Sequence, residues 1–230
     1  VRDADYANQG TGGYYGLSHS STYQENVYGS INANKQLNDD WEIHGFLREE
    51  YFNQHAQYNA EWTNGGLIVP NQYFISNSKQ QAGQAGYKFD TKRIVSTIFA
   101  VGTSWKNQVF LDVTGRNDWS STLSSSNNSY FYPSVAGSFI ASELIPEMDW
   151  LSFWKLRGSW TTSKKPANIY DINSDYSITQ NAWGNLSSAT YPTSIRGTNV
   201  RAESTSTFEV GTALNFFKGR ASLDVAYYNK

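Results

Sequence analysis

The stretch Val109–Ser121, VFLDVTGRNDWSS, decides the fold. Val109, Leu111, Val113 and Gly115 alternate with Phe110, Asp112, Thr114, Arg116 and Asp118. Successive side chains of a strand point to opposite faces, so the apolar set lies on one face and the mostly polar set on the other. Two settings use this pattern. In a soluble β-sandwich the apolar face meets a core and the polar face meets water. In an outer-membrane barrel the apolar face meets lipid and the polar face meets the lumen. The surrounding sequence has to separate them.

The same alternation recurs on either side. Upstream, Tyr23, Val27, Gly29, Ile31, Ala33 and Leu37 share one face of a strand predicted from Ser21 to Leu37. Asn38-Asp39-Asp40 is a tight turn. Trp41, Ile43, Gly45 and Leu47 then face away from Glu42, His44, Arg48 and Glu50. Val95, Phe99, Val101 and Trp105 form a further apolar face, with Ile94 and Ile98 out of phase. Downstream, Tyr132–Ala141 is predicted as a strand, and Trp154, Leu156, Gly158 and Trp160 alternate with Lys155, Arg157, Ser159 and Thr161. Phe208, Val210, Leu214 and Phe216 oppose Glu209, Gly211, Ala213 and Asn215, and Leu223, Val225 and Tyr227 begin a last strand. That makes about eight strands. Val1–Ser20, Phe52–Asp90, Asp118–Ser129 and Thr162–Ser204 read as loops, the second with short extra strands at GLIVP and QYFIS. Glu143–Ile145 reads as a helical turn.

The connections run short, long, short, long, medium, long, short: brief turns after Leu37, Trp105 and Phe216, a medium connection at Ser142–Leu151, and long polar segments between. Loops beyond about a dozen residues are uncommon in compact soluble domains. Short periplasmic turns opposite long extracellular loops are the asymmetry of an outer-membrane barrel. Trp41, Trp105, Phe139, Trp154, Phe216 and Phe217 gather beside the shorter connections. Aromatic rings with a polar edge collect in this way at a lipid–water interface. Packing of core aromatics near strand ends is the competing explanation.

Composition limits the function classes. The 230 residues carry a formal net charge of -2, which offers no basic footprint for nucleic acid. There is no Cys, so disulfides, thiolate zinc sites and thiol nucleophiles are out. No run of eighteen apolar residues marks a membrane-spanning helix, a test that barrel strands escape because half of each strand is polar. Mean hydropathy is -0.57, which a barrel tolerates for the same reason.

Four segments in order carry a family resemblance: GRNDWSS (115–121), YFYPSVAGSF (130–139), WKLRGSW (154–160) and STFEVGTALNFFKGRASLDVAYYNK (206–230). Together they resemble the barrel of SusC/RagA-type TonB-dependent outer-membrane transporters, from about Thr22 to Lys230. The resemblance implies an all-β fold, an antiparallel transmembrane β-barrel segment of about eight strands within a barrel of about 22. Residues 1–230 would be part of that barrel domain, with the plug domain outside this chain. It implies TonB-dependent import of a large nutrient, an oligosaccharide or oligopeptide, across the outer membrane of a Gram-negative bacterium. The implied partners are the rest of the barrel and its plug, a SusD-type surface lipoprotein as lid, the TonB complex and the lipid bilayer. No cofactor is implied. The alternative is a soluble β-sandwich module that binds glycans through exposed aromatics.

No catalytic constellation is visible. His19, His44 and His55 have no H-E-x-x-H spacing, and His19 and His55 read as loop residues. Glu49 and Glu50 are adjacent, so on a strand they point apart. No G-x-S-x-G elbow occurs. An enzyme is therefore not expected. Asp171, Asn173 and Asp175 lack the glycine and distal glutamate of a calcium loop and read as a solvated loop. The candidate residues are of two kinds. Asp112, Arg116, Asp118, Lys155, Arg157 and Glu209 fall on the polar face, as a wall network or as contacts to a plug. Trp62, Trp119, Tyr130 and Trp183 are loop aromatics for substrate or lid contact, or for packing the loops themselves.

Overall fold

The computed structural model describes residues 12–146, 148–197 and 199–230. Its strands are β1 (Gly16–Gln36), β2 (Trp41–Leu67), β3 (Ser78–Trp105), β4 (Val109–Ser120), β5 (Ser129–Ile140), β6 (Leu151–Lys165), β7 (Ser177–Trp183), β8 (Leu186–Thr190), β9 (Glu203–Phe216) and β10 (Ala221–Asn229). Eight of them form one sheet in the order β1-β2-β3-β4-β5-β6-β9-β10, and β7 pairs with β8 in a separate hairpin. Pairing in the main sheet is antiparallel, with β4 set between β3 (Val113 opposite Val101) and β5 (Val113 opposite Val135).

Five expectations about segments change. The predicted loop Val1–Ser20 is strand from Gly16 onward, and Val1–Thr11 lies outside the described residues. The predicted connection Phe52–Asp90 is mostly the long ends of β2 and β3, joined through residues 68–77 with a short 3-10 turn at Ile75–Asn77. The apolar period vanishes there because Asn53, Gln54, His55, Gln57 and Asn59 put polar groups on both faces. The backbone ladder needs no apolar period to persist. No separate strands form at GLIVP or QYFIS. The predicted loop Thr162–Ser204 holds β7 and β8, and the helical turn falls at Ala141–Glu143, slightly before its predicted position.

The described residues divide into two compact units, one of residues up to 25 with 53–92 and one of residues 26–52 with those from 93 on. In the first, Tyr15 N–H donates to Thr63 Oγ1 at 2.9 Å, and Asn77 Nδ2 donates to Val69 and Gln72 carbonyls at 2.8 and 2.6 Å. Asn77 thereby closes the 68–77 turn, and Leu67 is buried beside it in sequence.

In the second unit the short turns after Trp105 and Phe216 share one chemistry. Lys106 and Asn107, and again Phe217 and Lys218, have φ between 51° and 57°. Gln108 N–H returns to the Trp105 carbonyl at 2.9 Å and Gly219 N–H to the Phe216 carbonyl at 3.0 Å. Two left-handed central residues make a type I′ turn, set here inside loops of three and four residues. Trp41 and Trp105 meet at 6.4 Å between ring centroids, and Trp150 stacks on Phe216 at 6.1 Å.

The two faces of this unit's strands differ in solvent exposure. Val27, Ile31, Leu47, Val101, Leu111, Val210 and Val225 are all exposed, Ile31 to 76%. A β-sandwich would cover these side chains with a second sheet. Among the described residues the other sheet is the two-stranded β7–β8 hairpin. The opposite face instead buries polar groups: Ser96, Ser104, Asp118 and Ser120 are each exposed by 6% or less.

Candidate functional site

The polar face of the second unit holds two charge clusters. The first surrounds Arg116. Its Nε donates to Asp118 Oδ1 at 2.7 Å, its Nη2 donates to Ser96 Oγ at 3.0 Å, and Nη1 lies 3.5 Å from Glu50 Oε2. Tyr132 donates its hydroxyl to Asp118 Oδ2 at 2.8 Å. Strand register produces this geometry, because Arg116 pairs directly with Tyr132 and lies two residues from Asp118 on one face. Asp118 is almost fully buried, so both carboxylate oxygens need these donors. The cluster ties β2, β3, β4 and β5 together.

The second cluster uses glycine as a spacer. His44 on β2 reaches Asp112 on β4 at 3.1 Å, two strands away. Strands lie about 4.8 Å apart, so the contact must cross β3. It crosses at Gly102, where an added Cβ would collide with both Asp112 Oδ1 and His44 Nε2. The same device recurs at the other edge. Arg157 on β6 donates through Nη1 and Nη2 to Asp224 on β10 at 2.9 and 2.7 Å, across Gly211 of β9. Glu209 stands 3.6 Å from Arg157 Nε. Lys155 Nζ lies 5.8 Å from the Phe110 ring centroid, a cation–π distance. Asp112, Ser138, Lys155, Arg157, Ser159 and Glu209 line a depression of about 190 Å³.

The six polar-face candidates thus fall into both clusters, Arg116 and Asp118 in one and Asp112, Lys155, Arg157 and Glu209 in the other. Sequence reading missed Ser96, Tyr132 and Asp224 as partners, and it left His44 and Glu50 unpaired. The signal was present as glycines on the polar face of strands whose neighbours carry charges.

The aromatic candidates are placed differently from expectation. Trp62 lies on β2, Trp119 on β4 and Tyr130 on β5, so none of the three is a loop residue. Trp62 packs over Gly83, where an added Cβ would strike the indole. Tyr130 is buried and stacks on Tyr132 at 6.2 Å. Trp183, at the end of β7, is 75% exposed. His19 and His55 also lie on strands, with His55 between Asn53 at 3.0 Å and Thr91 at 3.1 Å.

Arg196 is tied to the segment 170–174. Its Nη1 donates to Asp171 Oδ1 at 2.9 Å and its N–H to Ser174 Oγ at 2.8 Å. The Asn168 backbone N–H also donates to Asp171, at 3.0 Å. Those two donors, Asn168 first, hold the Asp171 carboxyl below its ordinary range. Among the described residues no group of three or more His, Asp or Glu side chains comes together as a metal site.

The main sheet thus has one exposed apolar face and one face that carries the ion pairs. Known structures share this fold. The chain superposes on the RagAB peptide transporter with a TM-score of 0.81 at 18% identity, over 94% of this chain and 24% of that one. The RagAB peptide importer in its closed-closed and open-open states gives TM-scores of 0.81 and 0.79 at the same 18% identity and the same coverage, 94% of this chain and 24% of those chains. This chain therefore spans about a quarter of those chains. No family model matches the chain, and no curated protein does.

Proposed function

We propose that residues 1–230 form part of the wall of a TonB-dependent outer-membrane importer of the SusC/RagA type. The carrying observation is the bare apolar face opposite a face of hydrogen-bonded ion pairs, on a fold shared with an importer. In water, so many exposed Val, Leu, Ile and Phe side chains would invite association. Facing lipid they need no cover, and the polar face then borders the lumen. Among the described residues, strands β1 and β10 each leave one edge without a partner in this sheet. Unsatisfied backbone groups in lipid cost several kcal/mol each, so further strands would close the barrel.

In this reading the Arg116 cluster pins four strands of the wall, and Arg157, Lys155, Glu209 and Asp112 border the space occupied by a plug. Trp183 is the best placed of the aromatic candidates to touch cargo or a surface lipoprotein lid. The cargo is a large nutrient, and oligopeptide is the first class to test because the structural neighbours are peptide importers. The protein is no enzyme in this account. Extraction tests the reading: the native full-length protein should resist salt and carbonate and require detergent, and its uptake of cargo should depend on TonB. Release by carbonate alone would refute it.

A further inference from the structure

The ladder between β5 and β6 opens at one end. The two strands pair from Ser134 (opposite Thr161) to Ile140 (opposite Lys155). β5 starts earlier, at Ser129, and β6 runs on to Lys165, yet these ends are not paired with each other. Pro133 stands where they part, and it has no N–H to donate. Beyond that point β5 stays paired with β4, and β6 with β9. The parting leaves a groove of about 480 Å³, lined by Asn127, Tyr130, Phe131, Lys164, Arg201 and Ser204 among others.

Two cations face this groove without counter-charge. Among the described residues neither the Lys164 nor the Arg201 side chain has an ion-pair or hydrogen-bond partner, and no carboxylate lines the groove. Asn127 Nδ2 donates to Asn199 Oδ1 at 2.7 Å and to the Val200 carbonyl at 3.3 Å, which fixes the segment leading into Arg201. Tyr130, whose hydroxyl has no partner, forms part of the wall.

Lys164 lies on the apolar face, in phase with Trp154, Leu156 and Trp160. Facing pairs between β6 and β9 change along that face from Trp160–Phe208, through Thr162–Ser206 with hydroxyls 3.3 Å apart, to Lys164–Ser204. Aromatic gives way to hydroxyl and then to cation. Trp154 to Lys164 is ten residues along one strand. At about 3.3 Å per residue and a tilt of about 40°, that rises about 25 Å, the height of a barrel's apolar band. Lys164 therefore sits at headgroup level, one band above the Trp154 girdle.

We propose that this groove binds the phosphate of an outer-leaflet lipid headgroup. Lys164 and Arg201 supply the charge-assisted donors, and an Arg fork matches phosphate oxygens. Phe131, Trp160 and Phe208, exposed on the same face, offer the surface along which the acyl chains lie. The inference rests on the barrel reading above.

The test uses the full-length protein in detergent, with phosphorylated lipid A, the same lipid dephosphorylated, and inorganic phosphate as probes. The wild type should bind the phosphorylated lipid about tenfold or more tightly over its dephosphorylated form. The preference should weaken as salt rises and vanish in the K164Q/R201Q double variant. The variant K218Q, at the opposite turn, should keep it. Equal binding of both lipids by the wild type overturns the proposal, and this comparison holds even if the double variant fails to assemble. Displacement by inorganic phosphate at matched concentration overturns the lipid assignment too, because the site would then read phosphate alone. A protein that needs detergent but shows no lipid preference refutes this inference only, whereas carbonate release refutes the barrel reading beneath it.

Discussion

Replacing Val210 by arginine puts a charge where the account places the middle of the bilayer. Val210 stands opposite Gly158 on β6 and Tyr227 on β10. It is four residues above Leu214, which is level with Trp154. At about 3.3 Å per residue with the usual tilt, Val210 lies about 10 Å into a band about 25 Å tall. Arginine near the midplane costs about 2–4 kcal/mol, which is about 30- to 700-fold in the folding equilibrium. Leu214→Arg, at girdle level, should cost about 0–1 kcal/mol. Ser159→Arg is the matched control, since Ser159 is on the polar face of β6 opposite Glu209. It should cost under about 0.5 kcal/mol, as for a polar surface change. Denaturant titration of the full-length protein in micelles gives all three values, followed by tryptophan fluorescence or by the heat-shifted gel band. Equal losses for Val210→Arg and Ser159→Arg, or a larger loss at Leu214 than at Val210, would refute the assignment of faces and depth.

Arg116→Ala leaves the buried Asp118 carboxylate with Tyr132 as its side-chain donor, and loss of a charged hydrogen bond should cost about 1.5–3 kcal/mol in the same titration. Uptake per folded molecule should stay unchanged if Arg116 serves the wall, whereas normal stability with altered uptake would assign it to the plug. Gly102→Val drives a branched side chain between His44 and Asp112, and overpacking of that kind should cost about 1–3 kcal/mol; unchanged stability would remove the glycine-spacer argument. Asp171 has a lowered folded pKa, so its contribution to loop order is fully present above the unfolded value of 3.8 and is lost as pH falls through the folded value. Hydrogen exchange across residues 168–196 should therefore rise below pH 3.8 in the wild type, and Arg196→Ala should raise it at neutral pH; flat exchange in both would refute the loop staple.

The main sheet was legible in the sequence because one face is apolar throughout. From Val109 to Asp118, from Tyr132 to Phe139, from Trp154 to Trp160 and from Phe208 to Tyr227 the period of two matches the strand register. It stopped being legible at Phe52, where amides occupy both faces of β2 and β3 and only the backbone ladder records the strand. The Arg116–Asp118 pair could be read from spacing along one strand. Its links to Glu50 and Ser96, and the His44–Asp112 and Arg157–Asp224 contacts, depend on which strands neighbour which and on glycines two strands' reach apart. Periodicity along a single strand does not carry that information. Tyr130 was misplaced for a related reason: the Ser/Asn run before it masks the start of β5, so a buried strand residue looks like a loop aromatic.

The central claim is that the apolar face contacts lipid and the polar face does not. Val113 and Thr114 are neighbours on β4 whose side chains point to opposite faces, and Val113 is level with Trp160 through Val135. Nitroxide labels at Val113→Cys and Thr114→Cys in the full-length protein, reconstituted in bilayers, should report this directly through collision with oxygen and with a water-soluble nickel chelate. The account predicts oxygen-dominated relaxation at position 113 and chelate access or protein-buried silence at 114. Chelate access at position 113 equal to that at an exposed loop label would contradict it.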